Sequence, residues 1–248
     1  MKILLPPSET KRPGGSGAPL SLEGLALSTL AGQRDAVVSA LVTLSADRSA
    51  AARVLKLSER QLGDIDHNAA LRCAPTMAAV DRYTGVLYDA LDAASLDAAA
   101  RRWLDRHVWI HSAPFGPVSA LDAIPMYRLA AGASLPELAP LRRHWAGPTS
   151  QAMAQEPPAF ILDLRSEAYV ALGPVPVSVP SAYVRVVTDE GRALNHFNKK
   201  AKGELVRALA LDRPRVHTVG GLQKWAISRG MTIRQGDTDG TIELVVSS

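Results

Sequence analysis

Two short runs of apolar residues, each followed directly by polar residues, constrain the fold of this 248-residue chain more than any other feature. The first is Lys2–Leu5, closed by Pro6-Pro7 and followed by Ser8, Glu9 and Lys11; the second is 160–164, followed by Arg165, Ser166 and Tyr169. Strands that deliver polar residues at their carboxyl ends are a common way to present a site in α/β folds. A proline-rich turn with charged residues on its surface explains the first run equally well.

Between these two runs the chain has the periodicity of helices. From about residue 20 to residue 104, apolar residues recur at spacings of three and four, as in Val37, Leu41 and Leu44. Later segments predict one hairpin over 183–196 and a second over 231–246. The sequence therefore predicts a mixed α/β (α+β) fold, in which residues 1–248 form a single compact domain with a central mixed sheet and flanking helices.

Composition favours a protein of the cytoplasm. The single cysteine, Cys73, excludes internal disulfides, which fits a reducing compartment. No apolar run approaches the roughly 20 residues that span a bilayer. The apolar run that ends at Leu5 is too short for the core of a signal peptide. We therefore expect a cytoplasmic protein without a membrane partner.

The net charge of +4 conceals a basic region near the carboxyl terminus. Residues 192–234 contain ten lysine and arginine residues and two acidic residues, a balance of +8, so the remainder of the chain sums to −4. A basic region of this kind is typical of proteins that bind a polyanion. A solvated basic face would give the same count.

A cluster of lysines lies where the pattern predicts the start of a helix, in His196–Gly203 (HFNKKAKG). Cations are unfavourable at the positive end of a helix dipole, so lysines at this position indicate that an anion binds there. At about 100° per residue, Lys199 and Lys202 fall on the apolar side of the helix, whereas Lys200 falls on the solvated side. The alternative is a set of surface lysines that lay their stems on apolar neighbours.

The central part of the chain offers a turn and two polar residues. Residues 110–118 predict a hairpin between two helices, with Gly116 at the turn. Helical hairpins can bind phosphate through N–H groups of the turn, although Pro117 removes one donor. Tyr127 and Arg128 then lie in a loop that follows a proline. We find no motif for a metal or a cofactor, and scattered histidines without clustered carboxylates give direct iron binding little support.

Four segments together resemble the YaaA family (DUF328/UPF0246) of peroxide stress response proteins. The segments are LLPPSETK at 4–11, the block 112–129, DLRSEAY at 163–169 and HFNKKAKG at 196–203. Their order and spacing agree with the family over essentially the whole chain. One departure lies in the central block, where Ser119-Ala120 replaces the Arg-Pro that follows the hairpin glycine in the family.

The resemblance implies a single α/β domain with a basic cleft and a helix-hairpin-helix-like element. It also implies a cytoplasmic role in limiting oxidative DNA damage when peroxide and free iron coincide, with binding to double-stranded DNA as the means. Whether a reaction is catalysed does not follow from the resemblance.

Two functions compete on these observations. In the first, the protein binds double-stranded DNA without sequence specificity through cationic side chains. In the second, it is an enzyme that acts on a nucleotide-like or other small anion in a pocket where the strand ends converge on the lysine helix. The candidate catalytic residues are Ser8, Glu9, Arg165, Ser166 and Tyr169, and the candidate ligand- or phosphate-binding residues are Lys11, Tyr127, Arg128, Arg165, Asn198, Lys199 and Lys202.

Overall fold

The computed structural model of the chain describes residues 1–190 and 197–246. Its helices are α1 (Ala31–Ala46), α2 (Arg48–Val54), α3 (Asp64–Ala69), α4 (Ala79–Arg82), α5 (Val86–Leu91), α6 (Ala98–His107), α7 (Leu141–Gln155), α8 (Glu167–Leu172), α9 (Phe197–Asp212) and α10 (Val219–Ser228). Its strands are β1 (Lys2–Leu5), β2 (Met77–Ala78), β3 (Val108–Ser112), β4 (Gly116–Ser119), β5 (Ala123–Ile124), β6 (Ile161–Asp163), β7 (Ser181–Thr188), β8 (Thr232–Gln235) and β9 (Thr241–Val246). Within the described ranges no helix combines the length and the apolar character that crossing a membrane requires.

Seven of the strands form one mixed sheet in the order β4-β3-β1-β6-β7-β9-β8. The five inner strands run parallel to one another, whereas the edge strands β4 and β8 run antiparallel to their neighbours. The chain moves from β1 to β3 on one side and then crosses to β6, β7 and β9 on the other, so the strand order reverses between β1 and β6. The predicted α/β fold with a central mixed sheet is confirmed.

The central strands are apolar on both faces because both faces of the sheet are covered. Successive residues of a strand point to opposite faces. Ile3, Leu4 and Leu5 in β1 are nevertheless all fully buried, as are Ile161 and Leu162 in β6. Strands buried on both sides show continuous apolar runs rather than alternation. This is the physical reason for the two runs that the sequence displays.

Residues 110–118 form a β-hairpin, which corrects the prediction of a hairpin between two helices. β3 and β4 pair antiparallel, with Ser112 opposite Gly116. Gly116 has a φ of 62°, and a Cβ atom there would lie 2.9 Å from the Trp145 ring. The sequence did not identify β3 as a strand because β3 is buried along its whole length, so apolar and polar residues do not alternate in it. Residues 108–119 thus form strands instead of the helix-hairpin-helix-like element that the resemblance implies.

The structure tests the two hairpins predicted nearer the carboxyl terminus, over 183–196 and 231–246, to different extents. The second is confirmed, since β8 and β9 pair antiparallel. The first is tested only in part: β7 ends at Thr188, and the predicted return through His196 lies outside the described residues.

Helix α9 packs tightly on α5 because a glycine lies at their contact. A Cβ atom on Gly203 would lie 2.2 Å from the carbonyl oxygen of Leu87 and 2.8 Å from the Cβ of Ala90. Glycine alone permits this approach. The contact holds Lys199 and Lys202 of α9 against the ends of β1 and β6.

Candidate functional site

A cleft lies at the carboxyl ends of β1 and β6, where the strand order reverses. Three adjoining cavities of about 260, 450 and 430 Å³ share wall residues here, and we call the depression that they form the strand-end cleft. Its walls come mainly from five parts of the chain: 6–11, 84–88, 127–131, 166–169 and 198–202. Open α/β sheets commonly bind ligands at such a reversal of strand order.

The structure brings together most of the residues that the sequence singled out. One of the three cavities is lined by Ser8, Glu9, Ser166, Tyr169 and Lys199, a second by Lys11, Tyr127 and Arg128 as well as Ser8 and Tyr169, and the third by Asn198, Lys199 and Lys202. Glu9 lies at the rim, because its side chain is 82% exposed and its carboxylate is 3.7 Å from the Arg128 guanidinium. The two strand ends and the lysine helix therefore meet in one place.

Lys11 occupies one end of the cleft and is held by the segment that packs beside it. Its backbone forms an antiparallel bridge with Tyr83. Its Nζ donates to the carbonyl oxygens of Ser8, at 3.0 Å, and Glu9, at 3.3 Å, and lies 4.2 Å from the centre of the Tyr127 ring. Burial, together with the positive charge of Arg128, lowers the pKa of Lys11 to about 7.

Buried tyrosines form the wall beside Lys11. The hydroxyl groups of Tyr83 and Tyr127 are 2.8 Å apart, and the Tyr88 hydroxyl donates to the carbonyl of Pro6 at 2.7 Å. Burial raises the pKa of Tyr169, so its hydroxyl is uncharged at neutral pH. Sequence reasoning missed Tyr88, which lines the cleft, and Tyr83, which contacts the Tyr127 hydroxyl from outside it, because their helical spacing indicates only a core-facing side chain.

Lys202 occupies the other end of the cleft, and its amine has no partner in the part of the chain that the structure describes. It is only 5% exposed, and its Nζ lies 5.7 Å from the centre of the Tyr183 ring. Among the described residues, no acceptor or carboxylate oxygen hydrogen-bonds or ion-pairs with this nitrogen. Burial lowers the pKa of Lys202 to about 8, an effect that the negative charge of Asp163 partly offsets.

The other polar residues at the start of α9 differ from Lys202. Lys199 is exposed at the mouth of the cleft, which corrects the expectation that it leans into the protein as Lys202 does. Lys200 is exposed as expected, with its Nζ 3.6 Å from the Glu204 carboxylate. Asn198 lines the cleft, and its Oδ1 is buried without a hydrogen-bond partner within the described part of the chain.

Arg165 lies outside the cleft, which contradicts its expected roles in catalysis and phosphate contact. It is fully buried and donates to both carboxylate oxygens of Asp163, at 2.9 and 2.6 Å. It also donates to Nδ1 of His111 and to the carbonyl of Gly173, each at 2.8 Å. Burial and the charge of Arg165 hold the pKa of His111 well below its usual value, so His111 is neutral. Arg165 therefore anchors the end of β6 from within the core.

Ion pairs reduce the basic surplus of the region 192–234. Four of its cations pair with acids: Lys200 with Glu204, Arg207 with Asp92, Arg229 with Asp212, and Arg234 with Glu243. A fifth, Lys202, is buried in the cleft. Arg192 lies outside the described residues. The charge count from sequence thus overstates the positive charge that this surface presents.

In the described ranges, no three His, Cys, Asp or Glu side chains come together as a metal site would require.

The doubly wound sheet and the cleft at its reversal point define the class, an α/β protein with a candidate site at the strand ends. The sequence model of the family described as "Peroxide stress protein YaaA" matches residues 1–230. The chain belongs to this family of peroxide stress proteins, as the four segments predicted.

Curated relatives agree over most of the chain. It is 40% identical to a UPF0246 protein of Corynebacterium glutamicum over 252 residues, which cover 99% of this chain and 100% of that protein. It is 43% identical to a UPF0246 protein of Corynebacterium efficiens over 253 residues, with the same coverage. It is 44% identical to a UPF0246 protein of Streptomyces coelicolor over 214 residues, 84% of this chain and 82% of that protein.

Proposed function

We propose that this peroxide stress protein works by binding a small phosphate-bearing anion, such as a nucleotide, in the strand-end cleft. The observation that carries the proposal is the position of Lys202, a largely buried residue that lines the cleft and whose amine has no hydrogen-bond or ion-pair partner among the described residues. A charged group removed from water and left unpaired is unfavourable. A bound anion supplies the partner that Lys202 lacks.

The surroundings of Lys202 favour an anion as well. The first N–H groups of a helix have no acceptor within the helix and lie at the positive end of its dipole. Helix α9 begins at Phe197, so these groups lie beside Asn198 and Lys199 in the cleft wall. Basic side chains outnumber acidic ones in the cleft by four to two, and because Lys11 is only partly charged near pH 7 the surplus lies between one and two positive charges: Lys11, Arg128, Lys199 and Lys202 against Glu9 and Glu167.

The middle of the cleft offers groups that act on a ligand rather than only hold it. The hydroxyl-bearing side chains of Ser8, Ser166 and Tyr169 line the same cavity as Lys199. Positioned hydroxyl groups serve as proton donors and acceptors in enzymes. The cleft therefore favours an enzyme that acts on a small anion over a surface that only contacts a polymer.

Calorimetric titration with adenosine 5′-monophosphate tests the proposal. Lys202→Met keeps the length of the stem and removes the charge, so we expect affinity to fall by about 10- to 100-fold, the effect of losing one hydrogen bond to a charged group. Lys200→Met removes an exposed, paired charge and serves as the matched control, for which we expect less than about a twofold change. No binding to the unaltered protein, or equal losses in both variants, contradicts the proposal.

Binding of double-stranded DNA is a second proposal, and the exposure of Lys199 and Lys200 at the start of α9 favours it. Contacts of these lysines with DNA phosphates would release counterions. In that case Lys199→Ala and Lys200→Ala should each reduce the slope of log K against log salt concentration by about one. Fluorescence anisotropy with a short duplex measures this slope. An affinity that does not depend on salt, or slopes unchanged in both variants, argues against DNA as the partner.

A further inference from the structure

We propose that Lys11 is a nucleophilic amine that forms an imine with a carbonyl group of a ligand bound in the strand-end cleft. This inference rests on the proposed binding of a small anion in the same cleft. It adds the chemical class of the ligand, which carries an aldehyde or ketone together with its phosphate or other anionic group.

The position of Lys11 is fixed from several sides. Around its bridge with Tyr83, the Arg12 N–H donates to the Arg82 carbonyl at 2.8 Å, and the Thr84 N–H donates to the Thr10 carbonyl at 3.2 Å. The stem of Lys11 then leads into a cavity of about 260 Å³. The amine is thus presented to a ligand from a rigid backbone, as a nucleophile requires.

The hydrogen bonds of Lys11 fit an uncharged amine. Such an amine has two N–H bonds and one lone pair. The carbonyl oxygens of Ser8 and Glu9, at 3.0 and 3.3 Å, accept both N–H bonds. The lone pair is then directed away from these two carbonyls and is available to an electrophile.

The charges around Lys11 favour the same form. Lysines become nucleophilic when they are desolvated or lie beside another cation. Burial is the main effect on Lys11, and the charges of Arg128 and Arg82 add to it, whereas Asp64 and Glu9 act in the opposite direction. With a pKa of about 7, about half of the Lys11 amines are uncharged at pH 7, against about one in 2,500 for an exposed lysine. A weaker base is a weaker nucleophile, which offsets part of this advantage.

The proposed step is balanced without an oxidant or a reductant. The Lys11 nitrogen attacks the carbonyl carbon, the π electrons move to oxygen, and a proton is transferred from nitrogen to that oxygen to give a carbinolamine. Loss of water then gives the imine. The hydroxyl of Tyr169 lines the same cavity and can relay this one proton, since it can give its own proton to the carbonyl oxygen and take the proton that the nitrogen loses.

Trapping with borohydride tests the proposal on the whole protein. Pyridoxal 5′-phosphate, the probe, carries an aldehyde and a phosphate, and borohydride reduces its imines to stable secondary amines that peptide mass spectrometry can locate. Near pH 7 we expect the Lys11 adduct to exceed the adduct at exposed Lys200 by at least about tenfold, because so few exposed amines are uncharged. Equal labelling of Lys11 and Lys200 overturns the proposal, and this comparison needs no variant.

Two variants separate this inference from the proposed function. Lys11→Arg should lose the adduct at this position, whereas titration of the unaltered protein with adenosine 5′-monophosphate, which has no carbonyl group that could form an imine with Lys11, tests anion binding by itself. Lys202→Met should reduce labelling by pyridoxal 5′-phosphate but not by pyridoxal, which has no phosphate. If phosphate binding is intact and Lys11 stays unlabelled, the amine chemistry is wrong. If pyridoxal and its phosphate label Lys11 equally well, the anion site is wrong.

Discussion

At the scale of single residues, three cations, of which Arg165 and Lys202 are buried and Lys11 is half-buried, differ in what compensates their charge. Arg165 has Asp163 and further acceptors around it, so its environment is complete without a ligand. Lys11 has two backbone carbonyls but lies beside another cation. Lys202 has no acceptor among the described residues. This difference distinguishes a cation that stabilises the fold from the two to which the proposals assign a ligand.

The lowered pKa values of the two lysines predict that stability depends on pH. Folded Lys11 and Lys202 have pKa values of about 7 and about 8, below the value of about 10.4 for an exposed lysine. Between these values the unfolded chain binds more protons, so the free energy of unfolding should rise as pH increases from about 7 to about 9.5. Urea unfolding at a series of pH values measures this rise, which should be smaller in Lys202→Met. A flat or falling profile in the unaltered protein contradicts the prediction.

The role of Arg165 predicts a loss of stability on its removal. Arg165→Met leaves Asp163 buried without its partner, so we expect the free energy of unfolding to fall by about 3–5 kcal/mol. Arg185, exposed on β7, provides the control, and Arg185→Met should change stability by no more than about 0.5 kcal/mol. Urea unfolding compares the two variants. If Arg165→Met instead has normal stability but no longer binds the anion, the result favours the direct contact between Arg165 and a ligand that the sequence predicted.

At the scale of secondary-structure elements, the contact between α9 and α5 positions one end of the site. Gly203 allows α9 to approach the carbonyl of Leu87. The same helix carries Lys199 and Lys202 into the cleft wall. A change at this contact should therefore affect both the stability of the protein and the binding of an anion.

Substitution at Gly203 tests this coupling. In Gly203→Ala the new methyl group collides with backbone, so we expect stability to fall by about 1–3 kcal/mol and adenosine 5′-monophosphate to bind more weakly. Gly220→Ala in α10 meets open space and should raise stability by up to about 1 kcal/mol through helix propensity. Thermal unfolding and calorimetry together compare the two variants. If Gly203→Ala changes neither the stability of the protein nor its affinity for adenosine 5′-monophosphate, α9 adapts to the added methyl group without a consequence for the site.

The elements also show what the sequence could reveal. Continuous apolar runs predicted β1 and β6, because burial on both faces leaves a local pattern, and the polar residues after them indicated where the cleft lies. The same burial removed the alternation that would have identified β3 as a strand. Tyr88 reaches the cleft, and Tyr83 reaches the Tyr127 hydroxyl beside it, through long-range contacts to which helical spacing gives no clue. Helical geometry identified Lys202 as buried but placed Lys199 too deeply.

At the scale of the whole molecule, the topology of the sheet places the site. The reversal of strand order between β1 and β6 opens a cleft that five distant parts of the chain line. Such a cleft suits a small ligand that touches all of these parts at once, since its walls lie at the strand ends rather than on an extended face. DNA, in contrast, would contact mainly the exposed lysines at the mouth.

The most direct test of whether an anion pairs with Lys202 is the number of protons that the protein takes up when it binds adenosine 5′-monophosphate. With a pKa of about 8, Lys202 is about half protonated near pH 8, where the phosphate of adenosine 5′-monophosphate, with a second pKa of about 6, is fully ionised. An anion that pairs with Lys202 raises its pKa, so binding should take up roughly 0.3–0.5 proton per ligand. Calorimetry in buffers of different ionisation enthalpy measures this uptake. We expect this proton uptake in the unaltered protein and in Lys200→Met but not in Lys202→Met. No proton uptake in the unaltered protein, or equal uptake in all three proteins, would contradict the binding of an anion to Lys202.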